Sequence, residues 1–361
     1  FLISPRGDLL GAMSGEGVFE PLDAAISQAI PRYEADGSLV RGPFRPALER
    51  ERAPRSFLAF PGKVLAEAGA DRLFIADSGN HRVAVAALST GEVLHVIGGP
   101  EPGLEDGDFE TARFRNPQGL AWDAQAGALY VADTDNHALR RVDFARRRVE
   151  TLSGLGRQGG YPPLGGPARK TELNSPWDLV FAGGRLYIAM AGNHQLWVYD
   201  PAREWIEPYA GSGRENLADG SLERAALAQP SGITTDGRRL YFADSEVSAI
   251  RWADLPPGGR VGTLVGTGLF DFGDRDGAGD RARLQHPLGV VFAGGVLYVA
   301  DTYNNKIKRL DPGTRECVSL FGANTGGYRD GPGALFDEPG GLSHAAGKLY
   351  IADTNNHLIR V

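Results

Sequence analysis

The stretch LYVADTDNH, Leu129–His137, decides the fold because it recurs. Its other copies are LFIADSGNH (Leu73–His81), LYIAMAGNH (Leu186–His194), LYFADSEVS (Leu240–Ser248), LYVADTYNN (Leu297–Asn305) and LYIADTNNH (Leu349–His357). The alanines Ala76, Ala132, Ala189, Ala243, Ala300 and Ala352 are spaced by 56, 57, 54, 57 and 52 residues. A second motif, Pro-x-Gly-aliphatic, precedes most copies, at Pro117–Leu120, Pro230–Ile233, Pro287–Val290 and Pro339–Leu342. Pro176–Leu179 departs at its third position, and Pro61–Val64 is the loosest copy. Each period holds four strand signals separated by turn residues. In the second repeat these are Gly119–Trp122, Ala128–Ala132, Ala138–Val142 and Arg148–Leu152. Four antiparallel strands at such a period form one propeller blade, so six copies predict an all-β, six-bladed propeller. The blades are expected over residues 55–361, with the last blade incomplete. Its fourth strand would come from beyond Val361 or from Arg55–Phe60 folding back.

Composition agrees with many short elements, because Gly 50 and Pro 23 supply turn formers throughout the 361 residues. The net charge of −7 forces no basic face, so no nucleic-acid partner is expected. The one dense basic cluster, Arg140, Arg141 and Arg146–Arg148, reads as exposed charge that blocks edge pairing. A single cysteine, Cys317, rules out an intrachain disulfide and a cysteine-rich zinc site, and it points to the cytoplasm. No apolar run reaches the roughly 20 residues needed to span a bilayer, so no membrane partner is expected.

The motif Ala-Asp-[Ser/Thr]-x-Asn-His after an aliphatic strand resembles the NHL-repeat family. The opening residues add a second likeness. Phe1–Ser4, the turn Pro5–Asp8 and the return through Met13 precede apolar residues at helical spacing, from Val18 to Ile30. This strand–turn–strand–helix order resembles the closing part of a thioredoxin fold. Residues 1–37 are therefore expected to be the C-terminal remnant of a thioredoxin-like domain, and 38–54 a linker. The pairing with a propeller resembles the thioredoxin-domain NHL-repeat proteins, which implies a fragment cut at both ends. Thioredoxin chemistry needs a low-pKa cysteine at a helix N-terminus, which would lie before Phe1. Cys317, alone in a repeat strand, cannot substitute, and no catalytic residue is identified.

The aspartates Asp77, Asp133, Asp244, Asp301 and Asp353 could form a ring of acids. Their periodicity favours a structural role in holding turns. The Asn-His pairs follow the same logic. Repeat three breaks its own pattern: Trp177 and Asp178 replace x-Gly, and Met190 replaces the aspartate. Trp177, Asp178, Met190 and His194 are the candidate binding residues, with Trp177 and Asp178 expected to face the mouth of the channel. Asp106-Gly107, Asp219-Gly220, Asp276-Gly277 and Asp330-Gly331 read as turns.

The resulting expectation is a binding propeller that presents a face for a protein or peptide beside a thioredoxin-like domain. That domain would carry thiol-redox chemistry in the intact protein. No cofactor is expected, and the sequence leaves the oligomeric state open. The alternative is a propeller-type lyase or lactone hydrolase with a divalent metal in the central channel. Of the inner-strand starts Gly119, Asp178, Gly232, Gly289 and Gly341, one offers a metal ligand.

Overall fold

A computed structural model describes residues 1–13, 18–42, 56–255 and 258–361. The chain divides into two units, Phe1–Arg55 and Ser56–Val361. In the first, strands β1 (Leu2–Ile3) and β2 (Leu9–Gly11) pair antiparallel and precede helix α1 (Phe19–Ala35). The side chain of Tyr33 is buried in this unit. The expected linker falls outside the described residues from Pro43 onward.

The second unit is a six-bladed β-propeller. Blade one consists of Val64–Glu67, Arg72–Asp77, Arg82–Ala87 and Val93–Gly98, in sequence order from inner to outer strand. Blades two to five repeat this meander from the inner strands Pro117–Asp123, Pro176–Ala182, Pro230–Thr235 and Gly289–Ala293. In blade two the register runs Leu120↔Val131, Leu139↔Ala132 and Val142↔Val149. Strand periodicity thus sends alternate side chains towards the two neighbouring blades.

Three of the four Asp-Gly dipeptides depart from the turn reading, while Asp330-Gly331 stays outside any strand. Gly107–Asp108, Gly220–Ser221 and Gly277–Ala278 pair as a short fifth strand on the outer edge of blades two, four and five. Gly166–Pro167 does the same in blade three. The long outer edge that would template aggregation is thereby partly covered.

Each interface between blades buries its own apolar core. Blades one and two share Phe74, Ile97, Phe114 and Leu129, and blades two and three share Tyr130, Leu139, Ile188 and Trp197. Blades six and one share Tyr350, Ala352, Val64 and Leu73, so the ring closes through the same packing as its other joints. Blade six has three strands, Pro339–Ala345, Lys348–Asp353 and Leu358–Arg360. Ser56–Phe60 do not add a fourth. They are tied to blade six through side chains instead, because Phe60 N–H donates to His357 Nδ1 at 3.0 Å.

Candidate functional site

The repeat residues build two devices, and blade three lacks part of each. The first holds the corner between blades. Each copy ends in a residue with left-handed backbone: His81, His137, His194, Ser248, Asn305 and His357, with φ between 48 and 58°. Its side chain accepts a hydrogen bond from the N–H of the residue just before the next blade's proline. Asn116, Ser175 and Gln229 donate to His81, His137 and His194 Nδ1 at 3.1, 3.0 and 3.2 Å. His286 donates to Ser248 Oγ at 3.1 Å, and Glu338 to Asn305 Oδ1 at 2.8 Å. The hydroxyl that follows the aspartate adds a second tie. Thr134 Oγ1 donates to Pro176 O at 2.7 Å, and Ser245 Oγ to Pro287 O at 2.6 Å. Blade three has Ala191 there and cannot make this tie.

This clasp has a pH dependence. Burial holds the His81 and His137 imidazoles below the ordinary value of 6.5. The folded chain therefore resists protons that the unfolded chain accepts. Their contribution to stability is present above about pH 6.5 and is lost as pH falls towards the folded pKa. Asn305 performs the same task without titrating. A His137→Asn variant should therefore lose less melting temperature than the parent between about pH 7 and pH 5. Equal losses in differential scanning calorimetry would refute this.

The second device is a buried ion pair. Asp133 Oδ1 accepts from Arg115 N–H at 2.7 Å, and Oδ2 accepts from Asn136 Nδ2 and Arg140 Nη1, both at 2.8 Å. The aspartate thus anchors a segment 18 residues upstream through that backbone N–H, and the turn that follows it through the Asn136 side chain. Asp77, Asp244 and Asp353 repeat the arrangement with Arg82, Arg251 and Arg360 at 2.7, 2.8 and 2.8 Å, and Asp301 does so with Lys308 at 3.5 Å. Burial pushes the Asp133 and Asp301 carboxyls up, to about 6 in each case, against the pull of the partner cations. Arg140 is fully buried and faces both Asp133 and Asp106, so it is not part of an exposed basic edge.

In blade three Met190 takes the aspartate's place, and Trp197 that of the cation seven residues on. Both are buried in the core shared with blade two. Met190 therefore presents nothing to a partner, and His194 Nδ1 is occupied by the clasp. Trp177 stands half-buried at the start of the inner strand.

Asp178 lies between the inner strands of blades one and four. It is buried, and it accepts from its own-strand Leu179 N–H at 2.9 Å and from Ile233 N–H at 3.1 Å. Its Oδ2 lies 3.6 Å from Lys63 Nζ. Lys63 is the residue that the sequence reading missed. It occupies, in Pro61-Gly62-Lys63-Val64, the column that holds Gly119, Asp178, Gly232, Gly289 and Gly341 elsewhere. Its ammonium also donates to Gly340 O at 3.1 Å and to Leu288 O, so it joins blades one, three, five and six. Burial lowers the Lys63 pKa and raises that of Asp178, while each charge opposes the shift in the other. The glycines of this column are needed for fit: a Cβ at Gly119 would come within 2.5 Å of Asp178 Cα. No cluster of three or more metal-ligating side chains occurs among the described residues. Cys317 is buried, and its thiol is pushed up to about 12 by burial. It offers no reactive thiolate.

Comparisons with known proteins agree with the repeat. The NHL repeat family matches residues 114–141 and 173–199. The chain is 42% identical over 378 aligned residues to "Protein SUPPRESSOR OF QUENCHING 1, chloroplastic" of Arabidopsis thaliana, covering 99% of this chain and 36% of that protein. It is 38% identical over 396 aligned residues to NHL repeat-containing protein 2 of Homo sapiens, covering 100% and 54%. The chain thus spans about half the length, or less, of these curated relatives. Among solved structures, a Bacteroides thetaiotaomicron protein of unknown function superposes with a TM-score of 0.53 at 21% identity, covering 72% of this chain and 59% of that one. A chain of a nidogen/laminin complex does so with 0.52 at 15%, covering 72% and 79%. At these identities the two structures show the fold alone.

Proposed function

The chain carries NHL repeats and is homologous along its whole length to NHL repeat-containing protein 2, and from that premise we propose that it is a binding propeller for a protein or peptide partner. NHL propellers generally mediate protein interactions. The observation that carries the reading is the concentration of departures in blade three. Trp177, Met190, Ala191 and Trp197 break rules that the other blades follow, and Trp177 is partly exposed. A repeat scaffold commonly localises function where one copy deviates. In this reading the hairpin and α1 belong to a thioredoxin-like domain to which the propeller presents its partner. Any thiol chemistry belongs to that domain, since Cys317 is buried. Cytoplasmic residence is part of the same proposal and rests on the single unpaired cysteine. No helix of the described residues is long and apolar enough to cross a membrane.

The lyase or lactone hydrolase alternative needs a divalent cation in the channel. The Lys63 ammonium already places a positive charge beside Asp178, which opposes a second cation there.

Photocrosslinking separates these readings. With p-benzoylphenylalanine at position 177, irradiated cells should yield a discrete adduct. The same group at Arg238, exposed at the opposite end of blade four, should not. Adducts at neither position, or equal adducts at both, would overturn the binding face.

A further inference from the structure

A cavity of about 630 Å³ opens on blade three beneath the loop that follows the outer strand of blade two. Asn193 lines it, together with Tyr161, Pro162 and Leu164. Asn193 is 9% exposed, and its Oδ1 has no hydrogen-bond partner among the described residues. A buried acceptor left unmet is unusual, because it has lost water without a replacement.

Other blades also hold the amide nitrogen of this asparagine, for which Asn193 shows no hydrogen bond among the described residues. Asn136 Nδ2 donates to Asp133 at 2.8 Å and to Gly103 O, on the covering loop, at 2.6 Å. Asn304 donates to Asp301 and to Gly273 O, both at 2.8 Å, and Asn356 to Asp353 at 3.0 Å and Gly327 O at 2.9 Å. In blade three Met190 has removed the carboxylate. The covering loop is also longer, residues 154–165 (12 residues) against 99–106 (8 residues) at blade two, counted between the flanking strands. The loop is still tied down where Gly159 N–H donates to Leu173 O at 2.8 Å, and the cavity lies along the rest of it with Asn193 in its wall.

A carboxamide sets an acceptor beside a donor, the complement of a main-chain N–H and C=O. Tyr161 and Leu164, 77% and 74% exposed, supply an apolar rim for flanking side chains. On the wall, Arg157 and Glu172 pair with each other at 2.7 Å. Lys170, which makes no salt bridge among the described residues, is left to favour an acidic neighbour. The volume is in the range of ordinary ligand sites. We propose that this cavity is a peptide site in which Asn193 hydrogen-bonds a main-chain amide of an extended, acidic-flanked segment, gripped by Tyr161 and Leu164. The proposal rests on the binding-propeller reading and gives it a place and a ligand chemistry.

The test pans a phage library of random dodecapeptides on the whole chain. Selected peptides are then synthesised and titrated by fluorescence anisotropy against the parent, Asn193→Ala and Asn136→Ala. Asn193→Ala should weaken binding about tenfold or more with the melting temperature unchanged, since its Oδ1 holds nothing in the free chain. Asn136→Ala should lower the melting temperature and leave affinity intact. Tyr161→Ala should also weaken binding. Peptides that bind Asn193→Ala as tightly as the parent would overturn the site while leaving a peptide-binding propeller. A library that yields no binder would overturn peptide recognition by this cavity. The crosslinking result at position 177 then judges the wider reading on its own.

Discussion

Arg140→Met is expected to lower the free energy of unfolding by about 3–5 kcal/mol, the usual cost of removing one partner from a buried ion pair. The guanidinium has no exposed surface. It donates to Asp133 Oδ2, Arg113 O and Glu105 O at 2.8 Å each, and to Asp106 Oδ1 at 3.1 Å. Methionine leaves the Asp133 carboxylate buried beside Asn136 and one backbone N–H, with no cation. It also leaves two loop carbonyls unpaired. Blade three indicates how this loss can be repaired, because Met190 and Trp197 fill the acid and cation positions together and pack into a core. The double variant Asp133→Met/Arg140→Met should therefore be more stable than either single variant, with a coupling energy of about 1 kcal/mol or more. Chemical denaturation of the four proteins measures the cycle. Additive losses, or a single-variant loss below about 1 kcal/mol, would show that the pair contributes little.

Such cycles explain which parts of this fold were legible beforehand. The period was legible because each blade must repeat the same apolar second strand to fill an interface on both sides. The spacing of seven residues between Asp133 and Arg140, Asp244 and Arg251, and Asp353 and Arg360 was equally present in the sequence. Arg140 nevertheless reads, with its basic neighbours, as an exposed edge, because local charge density carries no sign of burial. The backbone partners of the aspartates were not legible: Arg115, Ala228 and Gln285 lie 16–18 residues upstream in irregular loops and carry no marker residue. The Asp-Gly dipeptides looked like turns, yet their aspartates bond the buried cations, as Asp219 bonds Arg251 at 3.0 Å. In the channel, aligning the third residue of every Pro-x-Gly copy shows one lysine, one aspartate and four glycines. The loose spelling of the first copy hid the lysine. The cavity over Asn193 depends on how a loop of twelve residues packs on a turn, and no residue pattern encodes that packing.

Lys63→Met should cost as much as the loss of Arg140, about 3–5 kcal/mol, because it strands the Asp178 carboxylate in the centre of the ring. Asp178 would keep its bonds to Leu179 and Ile233 N–H and lose its only cation among the described residues. The consequence is also topological. Blade one is joined to blade six by the shared core, by Ala66 N–H donating to Ser343 Oγ at 2.9 Å, by Thr354 Oγ1 donating to Pro61 O at 2.9 Å, and by Lys63 reaching Gly340 O. Removing the lysine cuts the one tie that also reaches blades three and five. Hydrogen exchange should therefore quicken first in the inner strands Val64–Glu67 and Pro339–Ala345, and later in blades two and four. Restoring the common residue offers the control. Lys63→Met/Asp178→Gly removes both charges and should regain part of the loss, since no carboxylate is then buried alone. If Asp178→Gly alone proved harmless and Lys63→Met alone exchanged uniformly around the ring, the pair would be a passive filler of the channel and ring closure would rest on apolar packing.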